Sequence, residues 1–310
     1  MTAIDPDPDP DAVDGSVIDG NAVAATIRDG LVDAVNRLAA AGHRPTLATV
    51  LMSDDLGSQT YVSMKQRDCE EVGIDTVDRE LDPTASADRL YEVVAELNDD
   101  PDVHGLLIQQ PLPDHVDERS VVRAVDPQKD VDAFHPDNVG RLVRGDPRYK
   151  PCTPHGIQKL LVAAGVDPAG TNAVVVGRSN IVGKPMANLL FGRDEGGNAT
   201  VTICHSQTDD LGGSTRAADI VVAAAGVPEL IDGSMLAEGA VVIDVGINRV
   251  AADTEKGYEL VGDVAFESAR ERAAFITPVP GGVGPMTRAM LLWNTVRATS
   301  RQTDIAVNLP

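Results

Sequence analysis

Four short apolar runs between residues 172 and 247 constrain the fold of this chain most strongly. They are rich in valine and isoleucine, and segments of helical pattern separate them. Strands that alternate with helices are typical of a parallel sheet, because two parallel neighbours need a long crossover connection. The runs therefore predict a doubly wound nucleotide-binding sheet. They are NAVVVG (172–177), ATVTICHS (199–206), DIVVAAAG (219–226) and AVVIDVGI (240–247).

A second alternating set precedes these runs and predicts another parallel sheet covered by helices. Its predicted helices span 21–42, 58–72 and 87–98, and its predicted strands are TLATVLMS (46–53) and VHGLLIQQP (103–111). Two alternating sets in one chain of 310 residues indicate two domains, since single cores rarely grow to this size. The predicted fold class is α/β, with an N-terminal α/β domain and a C-terminal Rossmann-like domain.

The domain boundaries follow from composition. A run of Asp and Pro at the start predicts a disordered, solvated acidic tail, and a Pro- and charge-rich connection ends near residue 154. The final helix comes after the second sheet is complete, so it is expected to return and pack on the first domain. The predicted organisation is a tail over 1–15, a first domain over 16–150 completed by the helix 286–300, and a Rossmann-like domain over 151–285.

The charge balance excludes several classes of partner. There are 48 acidic and 26 basic residues, for a formal net charge of −22. Nucleic acid and anionic membrane surfaces both require a basic face, so neither is an expected partner. Only six of the basic residues are lysines. This acidic, lysine-poor composition favours adaptation to concentrated salt, where charge repulsion is screened; an ordinary acidic cytosolic protein is the alternative.

Cysteine usage indicates a reducing compartment. The three cysteines, Cys69, Cys152 and Cys204, are widely spaced and form no metal-binding pair. No apolar run reaches the length of a transmembrane helix, and the N-terminus has no secretory pattern. We therefore expect a cytoplasmic protein without a metal.

The segment VVVGRSNIVGKP (174–185) stands where a dinucleotide-binding loop would, between the first strand of the second set and a helix. Gly177 permits a tight turn, Ser179 can donate a hydroxyl, and the N–H groups of the following helix suit a phosphate. The spacing is not G-x-G-x-x-G, so a plain strand-to-helix turn is the alternative. The context of strand, loop and helix favours a dinucleotide.

The second strand of this set bears on which dinucleotide binds. NAD sites usually place an acidic residue at the end of that strand, to bind the ribose hydroxyls. Here the strand ends in HSQ (205–207), whereas Arg178 and Ser206 could accept a 2′-phosphate. NADP is therefore predicted, although Asp209 and Asp210 are near enough in sequence to leave NAD open.

The segment YVSMK (61–65) places Tyr61 and Lys65 four residues apart, on one face of a predicted helix. A lysine can act as acid or base when burial lowers its pKa. The pair alone is more often a solvated lysine beside a half-buried tyrosine. Short-chain dehydrogenases also use Tyr-x-x-x-Lys, but after their cofactor loop, whereas this pair precedes the loop by more than a hundred residues.

Five further motifs decide between these interpretations. They are HGLLIQQPLP (104–113), PQKDVDAFHPDNVGRL (127–142), PCTPHG (151–156), VVIDVGIN (241–248) and TPVPGGVGPMT (277–287). Together they resemble the bifunctional methylene-tetrahydrofolate dehydrogenase and methenyl-tetrahydrofolate cyclohydrolase family, from about Ile18 to the final helix. The resemblance implies oxidation of 5,10-methylenetetrahydrofolate with NADP, then hydrolysis to 10-formyltetrahydrofolate. It also implies a homodimer, with the active site in the cleft between two α/β domains.

The resemblance assigns roles to individual residues. Lys65 matches the catalytic lysine, Tyr61 the tyrosine one turn before it, Gln109 the glutamine that hydrogen-bonds and tunes the lysine, and Asp132 the aspartate that binds the pterin ring. The loop along the folate site matches Pro280, Gly281, Gly282 and Val283, and extends to Gly284. The positions that line the NADP site match Gly177, Arg178, Ser179, Ser206 and Ile247.

The sequence departs from the family pattern at three places. Ala133 stands where glycine is usual, and it would strain the loop if that glycine has a positive φ. Gln110 replaces an apolar residue, and the segment before Tyr61 lacks a common proline. None of these removes a catalytic group. A monofunctional member of the family and a non-catalytic dinucleotide-binding regulator remain the alternatives.

Overall fold

The computed structural model describes residues 16–254 and 257–310, so the predicted acidic tail over 1–15 lies outside the described residues. The strands are β1 (Ser16–Val17), β2 (Thr46–Leu51), β3 (Asp75–Glu80), β4 (Gly105–Ile108), β5 (Asn172–Val176), β6 (Thr200–Cys204), β7 (Ile220–Ala223), β8 (Ala240–Asp244), β9 (Asn248–Ala251), β10 (Tyr258–Val261) and β11 (Ala273–Ile276). The helices are α1 (Gly20–Ala40), α2 (Leu56–Val72), α3 (Ala87–Asp99), α4 (Glu118–Ala124), α5 (Pro136–Val143), α6 (Cys152–Ala163), α7 (Gly183–Phe191), α8 (Leu211–Arg216), α9 (Phe266–Arg270) and α10 (Val283–Thr303). Within the described ranges, no helix is long and apolar enough to cross a membrane.

The chain divides into two compact units. The lysine unit comprises Ala25–Cys152 and Arg288–Pro310, and the six-stranded unit comprises Thr153–Thr287 together with the described residues up to Ala24. This division differs from the expected boundary at residue 16, because β1 pairs in parallel with β11 of the six-stranded unit. A two-residue strand leaves no period-2 pattern in the sequence, which is why this pairing was not anticipated.

The lysine unit is built on a three-stranded parallel sheet in the order β3-β2-β4. The central strand β2 is buried along its whole length, and its Ala48 and Val50 pack with Leu90 and Val94 of α3 in one apolar cluster. The edge strand β3 has the polar sequence DTVDRE and is mostly exposed. It is held by parallel pairing to β2 from Thr46 through Leu51, rather than by burial of its own side chains.

The six-stranded unit contains a parallel sheet in the order β1-β11-β8-β7-β5-β6, which confirms the predicted doubly wound sheet. The strand after β5 pairs on one side of it, and β7 then pairs on the other side. The connection between β6 and β7 therefore reverses the strand order at β5. In open α/β sheets, ligands bind beyond the carboxyl ends of the strands at such a switch point.

Candidate active site

Helix α2 carries Tyr61 and Lys65 on one face. The carboxylate of Asp55 accepts from Ser58 N and begins the helix, and Gly73 ends it with a left-handed φ of 82°. The Lys65 side chain is buried, with 6% of its surface exposed. Its Nζ lies 4.7 Å from the centroid of the Tyr61 ring, a distance typical of a cation–π contact. The amine is therefore held within the unit instead of extending into solvent.

Gln109, which follows β4, is the hydrogen-bonding partner of this lysine. Lys65 Nζ donates to Gln109 Oε1 at 2.9 Å. The amide nitrogen of the same glutamine donates to the carbonyl of Gln110 at 2.6 Å. That second bond orients the amide, so its oxygen faces the amine. The contact expected from the family resemblance is present, across a separation of 44 residues.

Burial and charge act against each other on Lys65. Loss of water lowers the pKa of its amine below the ordinary value, while Asp132, Cys152 and Cys69 raise it and Arg288 lowers it further. Burial likewise raises the pKa of the Asp132 carboxyl, and Lys65 opposes that rise. A lowered pKa favours the neutral form of the amine, which is the form that can accept a proton.

The loop that carries Asp132 is organised by the buried carboxylate of Asp130. It accepts from Phe134 N at 3.2 Å, His135 N at 2.8 Å and Asn138 Nδ2 at 2.7 Å. Burial raises the pKa of Asp130 to about 6. Sequence reasoning did not assign this organising role to Asp130, although its place two residues before Asp132 was a usable signal.

Ala133 has the positive φ that the sequence analysis identified as a source of strain. Its φ is 61°, in the left-handed region that favours glycine, and its side chain is buried. A left-handed conformation costs an L-residue roughly 1–2 kcal/mol. The loop therefore carries backbone strain directly beside Asp132.

Asn294 of α10 hydrogen-bonds the backbone on either side of the Asp132 loop. Its Nδ2 donates to Val131 O at 2.7 Å and to Lys150 O at 2.9 Å. The Cys152 thiol donates to Val131 O at 3.5 Å, and burial raises the pKa of that thiol well above its ordinary value. Asn294 and Cys152 were not predicted as site residues, because only the fold brings α10 and α6 next to the loop.

An ion pair lies on α2 one turn beyond Lys65. Arg288 Nε is 2.7 Å from Asp68 Oδ2, and each side chain is only 12% exposed. The pair belongs entirely to the lysine unit. Asp68 could have been suspected from its position three residues after Lys65, but Arg288 is 220 residues further along the chain and left no local signal.

The predicted cofactor loop follows β5 in the six-stranded unit. Gly177 has a φ of 136°, and a Cβ at this position would lie 2.1 Å from Ala224 O. A Cβ on Gly183, the first residue of α7, would lie 2.2 Å from Gly177 O. Both glycines are therefore required by close backbone approach at the switch point, as in a dinucleotide-binding turn.

Ser179 orders this loop through its hydroxyl. Its Oγ accepts from Val182 N at 3.1 Å and from Gly183 N at 3.2 Å. Val182 directly precedes α7 and Gly183 is its first residue, so the hydroxyl oxygen orders the start of the helix. Binding of a phosphate at this helix start stays a prediction. The hydroxyl hydrogen remains available as a donor, and the side chain of Arg178 is exposed.

Ser206 and Ile247 follow β6 and β8, at the carboxyl edge of the same sheet, and both are exposed. Asp210, one of the two acids that left NAD open, accepts from Gly213 N at 2.7 Å and begins α8. Its carboxylate is thereby engaged in a helix cap. This leaves Asp209 as the nearby acid and strengthens the prediction of NADP.

The segment over 277–283 lies near the end of the six-stranded unit. A cis peptide joins Val279 to Pro280, and Gly281 has a φ of 107°. A Cβ on Gly20 would lie 1.8 Å from Gly282 O, so the start of α1 approaches the loop backbone closely. The final helix was predicted to begin near residue 286, but it begins at Val283; the glycines on both sides of Val283 concealed the first helical turn.

These features define a class of protein: a two-unit α/β protein with a dinucleotide-binding turn at the switch point of one sheet and a buried, hydrogen-bonded lysine in the other unit. Comparison with known protein families gives one matching domain for the unit with the lysine and one for the unit with the dinucleotide-binding turn. The catalytic-domain model of tetrahydrofolate dehydrogenase/cyclohydrolase matches residues 18–132, and its NAD(P)-binding-domain model matches residues 151–303. The chain belongs to the tetrahydrofolate dehydrogenase/cyclohydrolase family, and the resemblance inferred from the motifs is confirmed.

Individual relatives match along nearly the whole chain. The bifunctional protein FolD 1 of Haloarcula marismortui is 70% identical over 95% of this chain and 99% of its own length. The bifunctional protein FolD of Halobacterium salinarum is 68% identical, with the same coverage.

Two solved structures share the fold. The bifunctional FolD methylenetetrahydrofolate dehydrogenase/cyclohydrolase of Campylobacter jejuni has a TM-score of 0.87 and 44% identity, and the match covers 92% of this chain and 99% of the other. The Trypanosoma brucei enzyme, complexed with NADP cofactor and inhibitor, has a TM-score of 0.89 and 41% identity, with coverage of 94% and 99%.

Proposed function

We propose that this protein oxidises 5,10-methylenetetrahydrofolate with NADP and then hydrolyses the methenyl product to 10-formyltetrahydrofolate, in one-carbon metabolism. The observation that carries the proposal is the buried Lys65 amine, held at 2.9 Å by the Gln109 amide oxygen in a chain that also has the complete loop from Gly177 to Gly183. Family membership supports both activities.

The residues at the switch point fit NADP. The two glycines leave no room for a side chain beneath the loop, so backbone can approach a pyrophosphate closely. We assign Gly177, Ser179, Ser206 and Ile247 to the dinucleotide, and Arg178 to its 2′-phosphate. NADP would supply the hydride acceptor for the first reaction.

The first reaction requires orientation from the protein and no proton transfer. Hydride leaves the methylene carbon of the substrate with its electron pair, and the folate becomes a methenyl cation. No proton is released, so the protein needs no base at this stage. We assign Tyr61, Gln109 and Asp132, with the loop from Pro280 to Val283, to holding the folate; positioning of this kind is a large part of catalysis.

The second reaction requires a base. Water adds to the methenyl carbon and loses both of its protons as it becomes the formyl oxygen. The ring nitrogen takes up one proton as its bond to that carbon breaks, and the other proton is released to solvent. Lys65 is the group assigned to this proton transfer, because burial lowers the pKa of its amine and Gln109 holds the nitrogen in place. Asp132 is assigned to the pterin ring.

One assay separates this proposal from its alternatives. Purified protein in molar potassium chloride is mixed with methylenetetrahydrofolate and NADP, while NADPH formation and the methenyl chromophore are followed together. We expect NADPH to appear and the methenyl signal to decay to formyltetrahydrofolate. NADPH formation with a methenyl signal that decays no faster than the uncatalysed rate would indicate a monofunctional dehydrogenase. Binding of NADP without turnover would indicate a regulator.

We further propose that the protein is a cytoplasmic homodimer. The family resemblance supports the dimer, and three widely spaced cysteines are typical of a reducing compartment. Light scattering of the protein eluting from a sizing column in molar salt measures the mass directly. A mass of one chain, 32.6 kDa, would contradict the dimer.

A further inference from the structure

The ion pair between Asp68 and Arg288 lies on the helix that carries Lys65. Residues three apart on a helix are neighbours on its surface, so the Asp68 carboxylate is placed where it could pair with the Lys65 ammonium. In the structure it pairs with Arg288 instead, at 2.7 Å between Nε and Oδ2. Both side chains are largely withdrawn from water, so this choice of partner has electrostatic consequences at Lys65.

The guanidinium of Arg288 is held against α2 at a second point. Its Nη1 approaches the Met64 sulfur at 3.4 Å, and Met64 is the residue directly before Lys65. Arg288 therefore contacts α2 on both sides of Lys65 in sequence. Its positive charge lowers the pKa of the Lys65 amine.

The other groups that act on Lys65 lie on several different elements. Asp132 and Cys152 face it from the loop and from the start of α6, Cys69 lies on α2, and each of these raises the pKa of the amine. The Tyr61 ring and the Gln109 amide are the neutral contacts. A second free carboxylate among these groups would hold the lysine as ammonium, which cannot accept a proton.

We propose that the Asp68–Arg288 ion pair is a positioning device for Lys65: Arg288 binds the Asp68 carboxylate and so keeps it from capturing the lysine amine. This inference rests on the proposed function for its catalytic meaning, since a free amine matters only if Lys65 is a base. Neither residue touches the reacting atoms in this account; both act through Lys65.

The pair could instead do no more than fasten α10 to α2. The fastening role and the charge-controlling role predict different directions for the change in the Lys65 pKa. If the pair only fastens the helices, removing either member loosens the same contact and moves Lys65 in the same way. If the pair controls charge, removing Arg288 leaves a negative neighbour and removing Asp68 leaves a positive one, so the two changes act on Lys65 in opposite directions.

The test measures the ionisation of Lys65 directly. Lysine side chains are isotope-labelled and followed by NMR as a function of pH; with six lysines in the chain the spectrum is sparse, and loss of a signal in Lys65→Met assigns the peak. We expect Arg288→Gln to raise the titration midpoint of Lys65 by about 1 pH unit and Asp68→Asn to lower it, as nearby charges do. The double variant should return close to the wild-type midpoint.

Two further variants serve as controls, one for the charge of Arg288 and one for the loss of a carboxylate from α2. Arg288→Lys keeps the positive charge and is expected to keep the wild-type midpoint, even if Arg288→Gln folds poorly. Glu71→Gln removes another carboxylate of α2, one that pairs with Arg28 at 3.1 Å, and should not move the midpoint. Shifts of both single charge-removing variants in the same direction, or no shift in either, would overturn the proposal.

Kinetics then connect the midpoint to catalysis. The rising limb of the cyclohydrolase rate against pH should move with the NMR midpoint, upward for Arg288→Gln and downward for Asp68→Asn. If the wild-type protein has no cyclohydrolase activity, the proposed function fails, while the NMR titrations still decide whether the pair controls Lys65. An NMR shift without a matching shift of the limb would overturn the catalytic part.

Discussion

Gly177→Ala tests whether the loop after β5 is required by close backbone approach. The added Cβ would lie 2.1 Å from Ala224 O, whereas carbon and carbonyl oxygen normally approach no nearer than about 3.3 Å. The overlap exceeds 1 Å by that comparison, so either the loop or the end of β7 must move. The φ of 136° is also one that an alanine rarely adopts.

The two effects set the expected size of the change. Backbone strain at such a φ costs of order 1–3 kcal/mol, and an over-packed contact costs typically ~1–3 kcal/mol. Reduced freedom of the unfolded chain returns ~0.4–1 kcal/mol. We therefore expect a net loss of about 1–6 kcal/mol in the free energy of unfolding of the six-stranded unit.

Gly170→Ala is the matched control. Gly170 precedes β5 in the same unit and has a φ of 78°, but no atom lies within 4 Å of the Cβ it would gain. It therefore carries the backbone strain without the overlap. Thermal unfolding and NADP titration of both variants give the comparison: Gly177→Ala should unfold at the lower temperature and weaken NADP by about tenfold or more, equivalent to ~1.4 kcal/mol, whereas Gly170→Ala should bind normally. Equal unfolding temperatures with unchanged NADP affinity would refute the reasoning.

Three further outcomes are expected. Lys65→Met should abolish cyclohydrolase activity while NADP affinity stays at the wild-type level, because the amine is the assigned base; hydrolysis at the wild-type rate would remove that assignment. Arg178→Ala should weaken NADP, but not NAD, by roughly ten- to a hundredfold, the ~1.5–3 kcal/mol of a charge-assisted hydrogen bond; titration of both cofactors checks this, and equal weakening would show that Arg178 does not contact the 2′-phosphate. Melting temperature and activity should both rise from dilute to molar potassium chloride, because the Debye length falls from about 10 Å at 0.1 M to about 3 Å at 1 M and the net charge is −22; a flat or falling melting temperature over that range would contradict salt adaptation.

The regular elements could be predicted where burial imposes a period. The strand β2 is central and buried along its whole length, and α2 is closed by Gly73. Both were expected within two residues of their observed bounds. The strand β3 was not, because an exposed edge strand is free to carry the polar sequence DTVDRE. Its conformation comes from pairing with β2, which no local pattern reveals.

Some features of the candidate site could likewise be predicted from the sequence, and others could not. The spacing of Tyr61 and Lys65 predicted a shared helix face, and the family motif predicted the partner of the lysine at Gln109. The sequence could raise the question of Ala133 but not its φ, which depends on the bonds that Asp130 makes to the loop. Arg288 was invisible, because charges far apart in sequence become neighbours only through the fold. The catalytic and binding roles of all these residues remain predictions.

The pairing of β1 with β11 bears on how the protein is made. Ser16 lies opposite Phe275 and Val17 opposite Ile276, so the six-stranded unit uses both ends of its sequence. The lysine unit likewise includes residues from Arg288 onward. During synthesis from the N-terminus, the six-stranded unit lacks residues until Thr287 has emerged from the ribosome, and the lysine unit lacks residues until the segment from Arg288 onward has followed. Such non-local contacts close late and slow folding. A nascent chain that stops before residue 273 would therefore lack part of both units, and neither can be obtained intact by cutting the gene at a single point.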